Sequence, residues 1–374
     1  MAEETQRRKA DHIRICLDEN SQARKATTGF EDIHFIHKAL PEINKQNIDP
    51  STYFLNHKFS APLVVGAITG GTAQAEKINA TIAEAVEELQ LGMGVGSQRA
   101  AIEDKSLMQT FAIARKKAPN AFLIANIGGV QLVHGYSIRE AKKAIEMIDA
   151  DAIAIHLNAL QEAIQPEGQT NFEGILSKIA DIAGELDKPV VVKETGTGIA
   201  AEEAKKLEAA GVKAIDVGGA GGTSFAAVEY YRTGKESQLQ RHLGEAFWDW
   251  GIPTATSIAE ITQTVKLPVI ASGGIRNGSN IAKALALGAQ LASLSQPILQ
   301  TSIKGVKETE SLLTLLIEEL RNIMFLVGAI NIEQLARIPV VITGKTAQWL
   351  ETRGFNVKNY AKRSMVYSGH RKVS

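Results

Sequence analysis

The chain has 374 residues, with 41 Lys plus Arg and 41 Asp plus Glu, so its formal net charge at pH 7 is zero. This balance argues against an unusually basic nucleic-acid binder, because contacts with phosphates need a clustered surplus of Lys and Arg. The 44% hydrophobic content excludes disorder over most of the chain, and the single cysteine, Cys16, excludes an intrachain disulfide and a multi-cysteine zinc or iron–sulfur site.

The N-terminal segment, MAEETQRRKADHIRI, is polar and charged and has no apolar core typical of a signal peptide. Apolar runs elsewhere, such as PLVVGAI, are too short to span a bilayer. We therefore expect a soluble, cytoplasmic protein. The basic side chains of the segment either cover an anionic substrate or form a solvated face. They are Arg7, Arg8, Lys9, His12 and Arg14.

Eight short apolar runs follow along the chain, at 62–69, 91–97, 121–129, 151–158, 188–196, 214–222, 267–275 and 289–297. Amphipathic stretches predict helices over 73–90, 104–117, 138–149, 172–184, 200–210 and 279–287. Apolar strands that alternate with helices indicate parallel βα units. Eight such units predict an α/β fold of the TIM (β/α)8 barrel type, with a doubly wound open sheet as the alternative.

Two pieces lie outside the regular alternation. Residues 1–60 precede the first strand, and we expect them to form an extension that covers the active site. Residues 223–255 interrupt the sixth βα unit and are long for a loop, so we interpret them as an insert. We expect one domain overall, with the barrel over 61–374. The basic segment 358–372 is interpreted as surface or interface.

The predicted strand ends are polar and glycine-rich, and functional residues of such barrels lie at these ends. Ser-Gly-Gly-Ile-Arg-Asn-Gly at 272–278 follows the seventh strand, and Ser295-Gln296 follows the eighth. Loops at these two places commonly bind phosphate through backbone N–H groups and a helix N-terminus, and Arg276 would add a bidentate contact. The alternative is a plain glycine turn with a surface arginine.

Three further groups at strand ends each have a functional interpretation and a purely structural one. Lys193 ends an apolar run; it is a Schiff-base lysine, a substrate cation or a flavin partner, or else it forms a salt bridge with Glu194. His156, which shares a strand face with Asn158, is an acid–base or hydrogen-bonding group, or a satisfied core histidine. Glu162 is a Mg²⁺ ligand or a solvated glutamate.

These motifs together resemble the type 2 isopentenyl-diphosphate isomerases, which depend on FMN. The resemblance is carried by RRKADHIRICL (7–17), GAITGG (66–71), GSQRAA (96–101), NIGG (126–129), HLNALQEAIQPEGQTNF (156–172), KETGTGI (193–199), DVGGAGGTSF (216–225) and SGGIRNG (272–278). It implies that isopentenyl and dimethylallyl diphosphate are interconverted by a proton shift across three carbons. It also implies reduced FMN as an acid–base cofactor, NADPH as its reductant, Mg²⁺, and a homo-oligomer of four or eight chains.

The resemblance also implies residue roles. The substrate would be bound by Arg8, Lys9, His12, Ser97, Gln98, Arg99, His156, Asn158 and Gln161. Among these, Gln161 would lie near the alkene, and with His156 and Lys193 it is a candidate for catalysis. Glu162 would hold Mg²⁺. FMN would lie against Ile68, Thr69, Gly70, Ser97, Asn126, Lys193 and Thr223, with its phosphate on Gly274, Ile275, Arg276, Ser295 and Gln296.

Three rival functions are compatible with a flavin barrel. An FMN-dependent 2-hydroxy-acid oxidase needs a histidine base after the sixth strand, and 216–226 contains none. A nucleotide dehydrogenase of the inosine-monophosphate type needs a cysteine in the barrel mouth, whereas Cys16 lies in the N-terminal segment. A non-catalytic flavin- or phosphosugar-binding protein has no need for the second anion and metal site that the resemblance assigns to Arg99, Gln161 and Glu162.

Overall fold

Eight strands close into a parallel barrel in the computed structural model, which describes residues 2–233 and 237–363, with side chains from Arg7 onward. The strands of the chain are β1 Ile33–Phe35, β2 Thr52–Phe54, β3 His57–Phe59, β4 Leu63–Val65, β5 Gly92–Gly94, β6 Phe122–Gly128, β7 Ala152–Leu157, β8 Val190–Glu194, β9 Ala214–Asp216, β10 Val269–Ala271, β11 Leu291–Leu294 and β12 Val340–Ile342. Strands β4 to β11 form the barrel in sequential order, and β11 closes it on β4. Each lies within one predicted run, so the TIM barrel is confirmed and the open sheet is wrong.

The helices are α1 Ala2–Asp18, α2 Ala73–Glu88, α3 Arg99–Glu103, α4 Gln109–Lys117, α5 Gly129–Val133, α6 Ile138–Ile148, α7 Ala159–Ile164, α8 Ile175–Glu185, α9 Ala201–Ala209, α10 Phe225–Arg232, α11 Gln238–Ala246, α12 Thr254–Thr262, α13 Gly278–Ala286, α14 Gln296–Ser302, α15 Val306–Val327, α16 Ile332–Arg337, α17 Gly344–Thr352 and α18 Lys358–Ala361. Within 2–233 and 237–363, none of them is long and apolar enough to cross a membrane.

Five of the six predicted helices match single helices to within three residues at each end: α2, α6, α8, α9 and α13. The predicted helix at 104–117 is instead divided, because a 3-10 turn, Lys105–Leu107, separates α3 from α4. The predicted insert contains α10 and α11, and α12 then completes the sixth βα unit. Residues 234–236 of the insert, and the basic segment beyond residue 363, lie outside the described residues.

On neighbouring strands of the barrel, the inward-facing side chains change from apolar to polar toward the carboxyl end. In β7 and β8, Ala154 and Val191 belong to the apolar cluster inside the barrel, and the next inward positions are His156 and Lys193. A strand places every second side chain on the same face, so an apolar floor is followed two residues later by the polar mouth. This alternation brings the candidate functional groups to one end of the barrel.

The opposite end of the barrel is closed by the β2–β3 hairpin. Phe54 and Phe59 are almost fully buried and pack against Phe122, with ring centroids 6.0 and 5.6 Å apart. Such aromatic contacts fill the barrel base and add specific edge-to-face attractions. The barrel is therefore a packed core with a single polar end, which is the expectation for this fold.

The N-terminal extension lies partly across the polar end and partly beside the barrel. Helix α1 buries Ile13 and Ile15, which are 3% and 0% exposed. Farther along, β1 pairs antiparallel with β12, which ties the extension to the C-terminal part of the chain. The extension is thus packed on the barrel, and α1 is placed where strand ends meet solvent.

Candidate active site

A cavity of about 280 Å³ lies at the polar end of the barrel. All the predicted site residues line it except Gly70 and Gln98. The lining predicted residues are Arg8, Lys9, His12, Ile68, Thr69, Ser97, Arg99, Asn126, His156, Asn158, Gln161, Glu162, Lys193, Thr223, Gly274, Ile275, Arg276, Ser295 and Gln296. Residues separated by nearly 290 positions in sequence are therefore brought together around one space.

The two exceptions have physical reasons. The side chain of Gln98 is fully buried, donates from Nε2 to Ala144 O at 2.8 Å, and accepts from Asn126 N at 2.8 Å. It therefore fixes β6 and α6 from behind the cavity. Gly70 faces Phe111, since a Cβ added there would lie 1.9 Å from the ring. The Gln98 side chain is thus used within the protein, and Gly70 has no side chain to line the cavity, although both residues lie in motifs that carry the resemblance.

Three neighbouring strands carry a row of titratable groups across the cavity floor. His156, Lys193 and Asp216 are register partners on β7, β8 and β9. Lys193 Nζ donates to Glu194 O at 3.0 Å, and Asp216 accepts from the Ser272 hydroxyl. Burial raises the pKa of Asp216, which the Lys193 charge opposes. The lysine is thus flanked by an imidazole on one side and a carboxyl group on the other.

The hydrogen-bond pattern assigns the tautomer of His156. Asn126 Nδ2 donates to Val95 O at 3.0 Å, so Asn126 Oδ1 is the acceptor for His156 Nδ1 at 2.8 Å. The proton of the neutral ring is therefore on Nδ1, and Nε2 is an acceptor. Burial, followed by the charges of Lys193, Lys9 and Arg8, lowers the pKa of His156 to about 3. The ring is neutral near pH 7 and accepts rather than donates at Nε2.

The basic side of the cavity is formed by α1 and α3. Lys9 Nζ donates to Ser97 O at 2.6 Å and lies 4.9 Å from the centroid of the Phe111 ring. Burial, followed by the charge of Arg8, lowers the pKa of Lys9 to about 7. Arg99 forms a 2.7 Å ion pair with Glu103. This concentration of cations in a partly desolvated space favours an anionic ligand.

Helix α7 places two predicted groups next to each other. Asn158 Nδ2 donates to Gln161 Oε1 at 3.1 Å and to Glu162 Oε1 at 2.9 Å. The other oxygen of Glu162 accepts from Gln165 Nε2 at 2.5 Å and Gln169 N at 2.8 Å. In the described part of the chain, the buried Asn158 Oδ1 has no hydrogen-bond partner. The cluster therefore offers a carboxylate and an unpaired amide oxygen.

Glu229 on α10 is a site residue that the sequence analysis missed. Its side chain is fully buried, accepts from His12 Nε2 at 3.0 Å and from Arg232 Nε at 2.6 Å, and lies 3.5 Å from Gln161 Nε2. Burial alone would raise the pKa of Glu229, but the hydrogen bond and charge of His12 and the charge of Arg232 outweigh it and lower the pKa. This carboxylate joins α1, α7 and the insert.

A glycine-rich surface forms the side of the cavity after β9 and β10. Gly274 has a left-handed backbone (φ 68°), and a Cβ there would lie 2.4 Å from Thr28 Cγ2. A Cβ at Gly222 would lie 2.3 Å from Gly274 N. The loops therefore approach each other closely and present backbone beside Arg276 at the cavity wall.

Arg276 is a partly buried cation that has neutral partners. It donates to Gln22 Oε1 at 2.6 Å and to Ile275 O at 3.0 Å. Across 2–233 and 237–363, no carboxylate lies within ion-pair distance of it. Burial lowers the pKa of Arg276, since a desolvated charge is unfavourable without an opposite one. An anion bound at this wall would compensate the charge.

Comparison with protein families gives one match over more than half of the chain. Residues 131–341 match the family of FMN-dependent dehydrogenases. This range covers β7 to β11 and ends within β12. It includes the row of strand-end groups and the glycine-rich wall described above.

Curated relatives match over nearly the whole chain. Isopentenyl-diphosphate delta-isomerase of Methanosarcina barkeri is 49% identical over 96% of this chain and 98% of its own length. The protein of the same name from Methanothermobacter thermautotrophicus is 49% identical over 96% of this chain and 99% of its own. The protein of that name from Pyrococcus furiosus is 49% identical over 92% of this chain and 89% of its own length.

Solved structures share the fold at much lower identity. Two crystal structures of mandelate oxidase match 91% of this chain and 98% of their own, with TM-scores of 0.59 and 0.58. Their sequences are 17% identical to this one. This likeness concerns the barrel architecture alone, because one barrel fold supports many unrelated reactions.

Proposed function

The chain belongs to the isopentenyl-diphosphate delta-isomerase family, and from this premise we propose that it interconverts isopentenyl diphosphate and dimethylallyl diphosphate by a 1,3-proton shift. Reduced FMN, Mg²⁺ and NADPH are the proposed cofactors. The reaction changes the position of a double bond, so the substrate undergoes no net oxidation.

The observation that carries the proposal is the presence of two cationic walls in one cavity. Lys9 and Arg99 lie beside the loop that follows β5, whereas Arg276 follows β10. Strands β5 and β10 are three places apart in the eight-stranded ring. One cavity can thus receive two anions, and a flavin phosphate and a substrate diphosphate account for both. A flavin carrier would need one such wall.

The residues at the second wall fit FMN. A phosphate would compensate the partly buried charge of Arg276, and the glycine backbone around Gly274 leaves room for close approach. Lys193 would supply a positive charge to the ring system from the floor. When bound in its reduced form, FMN supplies acid–base chemistry and an electron-rich surface beside the alkene.

The cluster on α7 fits Mg²⁺. Carboxylate and amide oxygens are the ligands this ion prefers, and Glu162 with the unpaired Oδ1 of Asn158 offers both. The described residues contain no group of three His, Cys, Asp or Glu side chains suited to a metal ion. We therefore propose that substrate phosphate oxygens complete the coordination, which is the usual arrangement for Mg²⁺.

The remaining groups bind and orient the substrate. We propose that Lys9, Arg8 and Arg99 neutralise the diphosphate, and that Gln161, held by Asn158 and Glu229, is positioned beside the alkene. His156 is neutral, donates from Nδ1 to Asn126 Oδ1 and has a free acceptor at Nε2, so we propose that it orients a ligand and does not supply the proton. Ile13 and Phe225 contribute apolar lining that limits access of water to a carbocation-like transition state.

Three properties remain predictions from the family resemblance. They are NADPH as the reductant, assembly into a homo-oligomer of four or eight chains, and a cytoplasmic location. Anaerobic absorbance of bound FMN after NADPH addition tests the first, and light scattering of the full chain tests the second.

The proposed activity is tested by proton NMR in D₂O under anaerobic conditions. The full chain is incubated with FMN, dithionite or NADPH, Mg²⁺ and isopentenyl diphosphate. We expect dimethylallyl diphosphate that carries deuterium. The matched control contains oxidised FMN and no reductant, and we expect no product from it.

The possible outcomes separate the parts of the proposal. Product formed equally with oxidised flavin would contradict acid–base chemistry of the reduced form. Absence of product from a protein that binds and reduces FMN would refute the isomerase, and 2-hydroxy acids would then be screened as substrates.

A further inference from the structure

Residues 20–28, which we call the strap, follow helix α1 and cross the glycine-rich wall from outside the cavity. Ala23 N donates to Gly222 O at 2.8 Å, and Ser224 N donates to Ser21 O at 2.8 Å. At the end of the strap, Ala255 N donates to Thr28 O at 2.8 Å. The strap is therefore bonded on one side to the loops that follow β9 and to the start of α12.

The insert holds the other side of the strap. Asp249 Oδ1 accepts from the backbone N–H groups of Arg24, Lys25 and Ala26 at 2.7, 2.9 and 2.9 Å. The Arg24 guanidinium lies 3.5 Å from the centroid of the Trp248 ring, a cation–π distance. These contacts fix the backbone of the strap without touching the cavity.

Gln22 is the strap residue whose side chain hydrogen-bonds to Arg276 at the predicted phosphate site. Its Oε1 accepts from Arg276 Nη2 at 2.6 Å, and its Nε2 donates to Thr223 Oγ1 at 3.2 Å. Its carbonyl oxygen accepts from Trp248 Nε1 at 2.8 Å. Arg276 and Thr223 line the cavity, whereas Gln22 does not. Any effect of its side chain on a ligand is therefore transmitted through those two residues.

The amide of Gln22 has one orientation that satisfies both partners. The oxygen must face the guanidinium, because a reversed amide would place two sets of N–H donors against each other. A neutral acceptor at this position holds Arg276 in place while leaving its positive charge uncompensated. A carboxylate at the same position would hold the arginine equally well but would neutralise it.

We propose that Gln22 is a positioning residue that fixes Arg276 and Thr223 for the phosphate group of FMN. This inference rests on the proposed function, because it assigns the anion at the glycine-rich wall to the flavin. It predicts that the side chain of Gln22 affects recognition of the phosphate and leaves recognition of the ring unchanged.

The test compares FMN with riboflavin, which has the same ring system and no phosphate. Full-length protein stripped of flavin is titrated with each, and the dissociation constants are obtained from quenching of flavin fluorescence. The variants are Gln22→Leu, Gln22→Glu and the control Arg24→Gln, which removes a strap contact that lies away from Arg276. Circular dichroism and urea unfolding establish that each variant is folded.

We expect wild-type protein to prefer FMN over riboflavin strongly. Gln22→Leu should reduce this preference by about tenfold, the range expected for losing a charge-assisted hydrogen bond, with riboflavin affinity unchanged. Gln22→Glu should reduce it further, because the new carboxylate competes with the phosphate for Arg276. Arg24→Gln should leave the preference unchanged.

Two failures are distinguishable. If wild-type protein binds riboflavin as tightly as FMN, the phosphate site of the proposed function is wrong. If wild-type protein prefers FMN and both Gln22 variants retain the full preference, the flavin site stands and the role of Gln22 is refuted. Equal losses for FMN and riboflavin would also refute it, because a merely structural role predicts that result.

Discussion

Substrate binding should depend on pH through Lys9. This side chain is partly buried beside Arg8, its Nζ donates to Ser97 O at 2.6 Å, and its pKa is lowered to about 7 by desolvation and the neighbouring arginine. A diphosphate binds the charged form, because the ammonium group supplies the compensating charge. On the cavity floor, His156 has a pKa lowered to about 3 and stays neutral over the range considered.

The size of the effect follows from the charged fraction of Lys9. With a pKa of about 7, about nine-tenths of the side chain is charged at pH 6 and about one-tenth at pH 8. If the diphosphate binds only the charged form, its affinity should fall by about tenfold between pH 6 and pH 8. Binding at pH 8 should be accompanied by uptake of roughly one proton.

The assay is isothermal titration of isopentenyl diphosphate into protein loaded with oxidised FMN and Mg²⁺, in two buffers of different ionisation enthalpy. The control is Lys9→Arg, because arginine stays charged over this range. Ionisation of the substrate is common to both proteins, so the difference between their pH profiles reports Lys9. Identical profiles, or wild-type binding at pH 8 without proton uptake, would refute the reasoning.

Three other substitutions test the site. Glu162→Gln should raise the Mg²⁺ concentration needed for half-maximal activity by at least about tenfold, and an unchanged requirement would remove this residue from the metal site. Glu229→Ala removes the carboxylate that His12 and Arg232 share, whereas Arg232 keeps its 2.8 Å ion pair with Glu167. The free energy of unfolding in urea should therefore fall by about 2 kcal/mol, less than for a buried charge left without any partner, and a loss below about 1 kcal/mol would contradict that role. Gly274→Ala adds a methyl group 2.4 Å from a strap carbon, so FMN affinity should fall by about tenfold, and retained affinity would show that the loop adjusts.

The barrel was predictable because its strands are buried on both faces, so most positions in each strand must be apolar. Such an apolar run can be recognised in the sequence of one strand alone, without knowledge of the neighbouring strands. Helix α1 was not predicted, because its charged sequence has few apolar residues. Ile13 and Ile15 become buried only against the completed barrel. The two-stranded β1–β12 pair joins segments about 300 residues apart and likewise left no local pattern.

The site was predictable where a strand end dictates the direction of a side chain, as for His156 and Lys193. It was not predictable where a contact depends on distant segments. Glu229 lies in AAVEYYR, an ordinary helical stretch, and its partner His12 is 217 positions away. Gln98 shows the converse, since it belongs to a distinctive motif but its side chain bonds to Ala144 O behind the cavity.

The barrel and the extension supply different groups of site residues, which explains why similarity of fold is a poor guide to the reaction of this protein. The groups expected to contact the flavin belong to the barrel, such as Lys193 within β8 and Arg276 after β10. Two of the cations expected to bind the diphosphate, Arg8 and Lys9, are supplied by α1, which precedes the barrel. A structural comparison dominated by the strands and helices of the barrel detects the part of the site expected to contact the flavin. It carries little information about the cations expected to bind the diphosphate. Similarity over 96% of the chain at 49% identity extends beyond the barrel into the extension, and it defines the family, whereas a TM-score of 0.59 at 17% identity shows the fold alone.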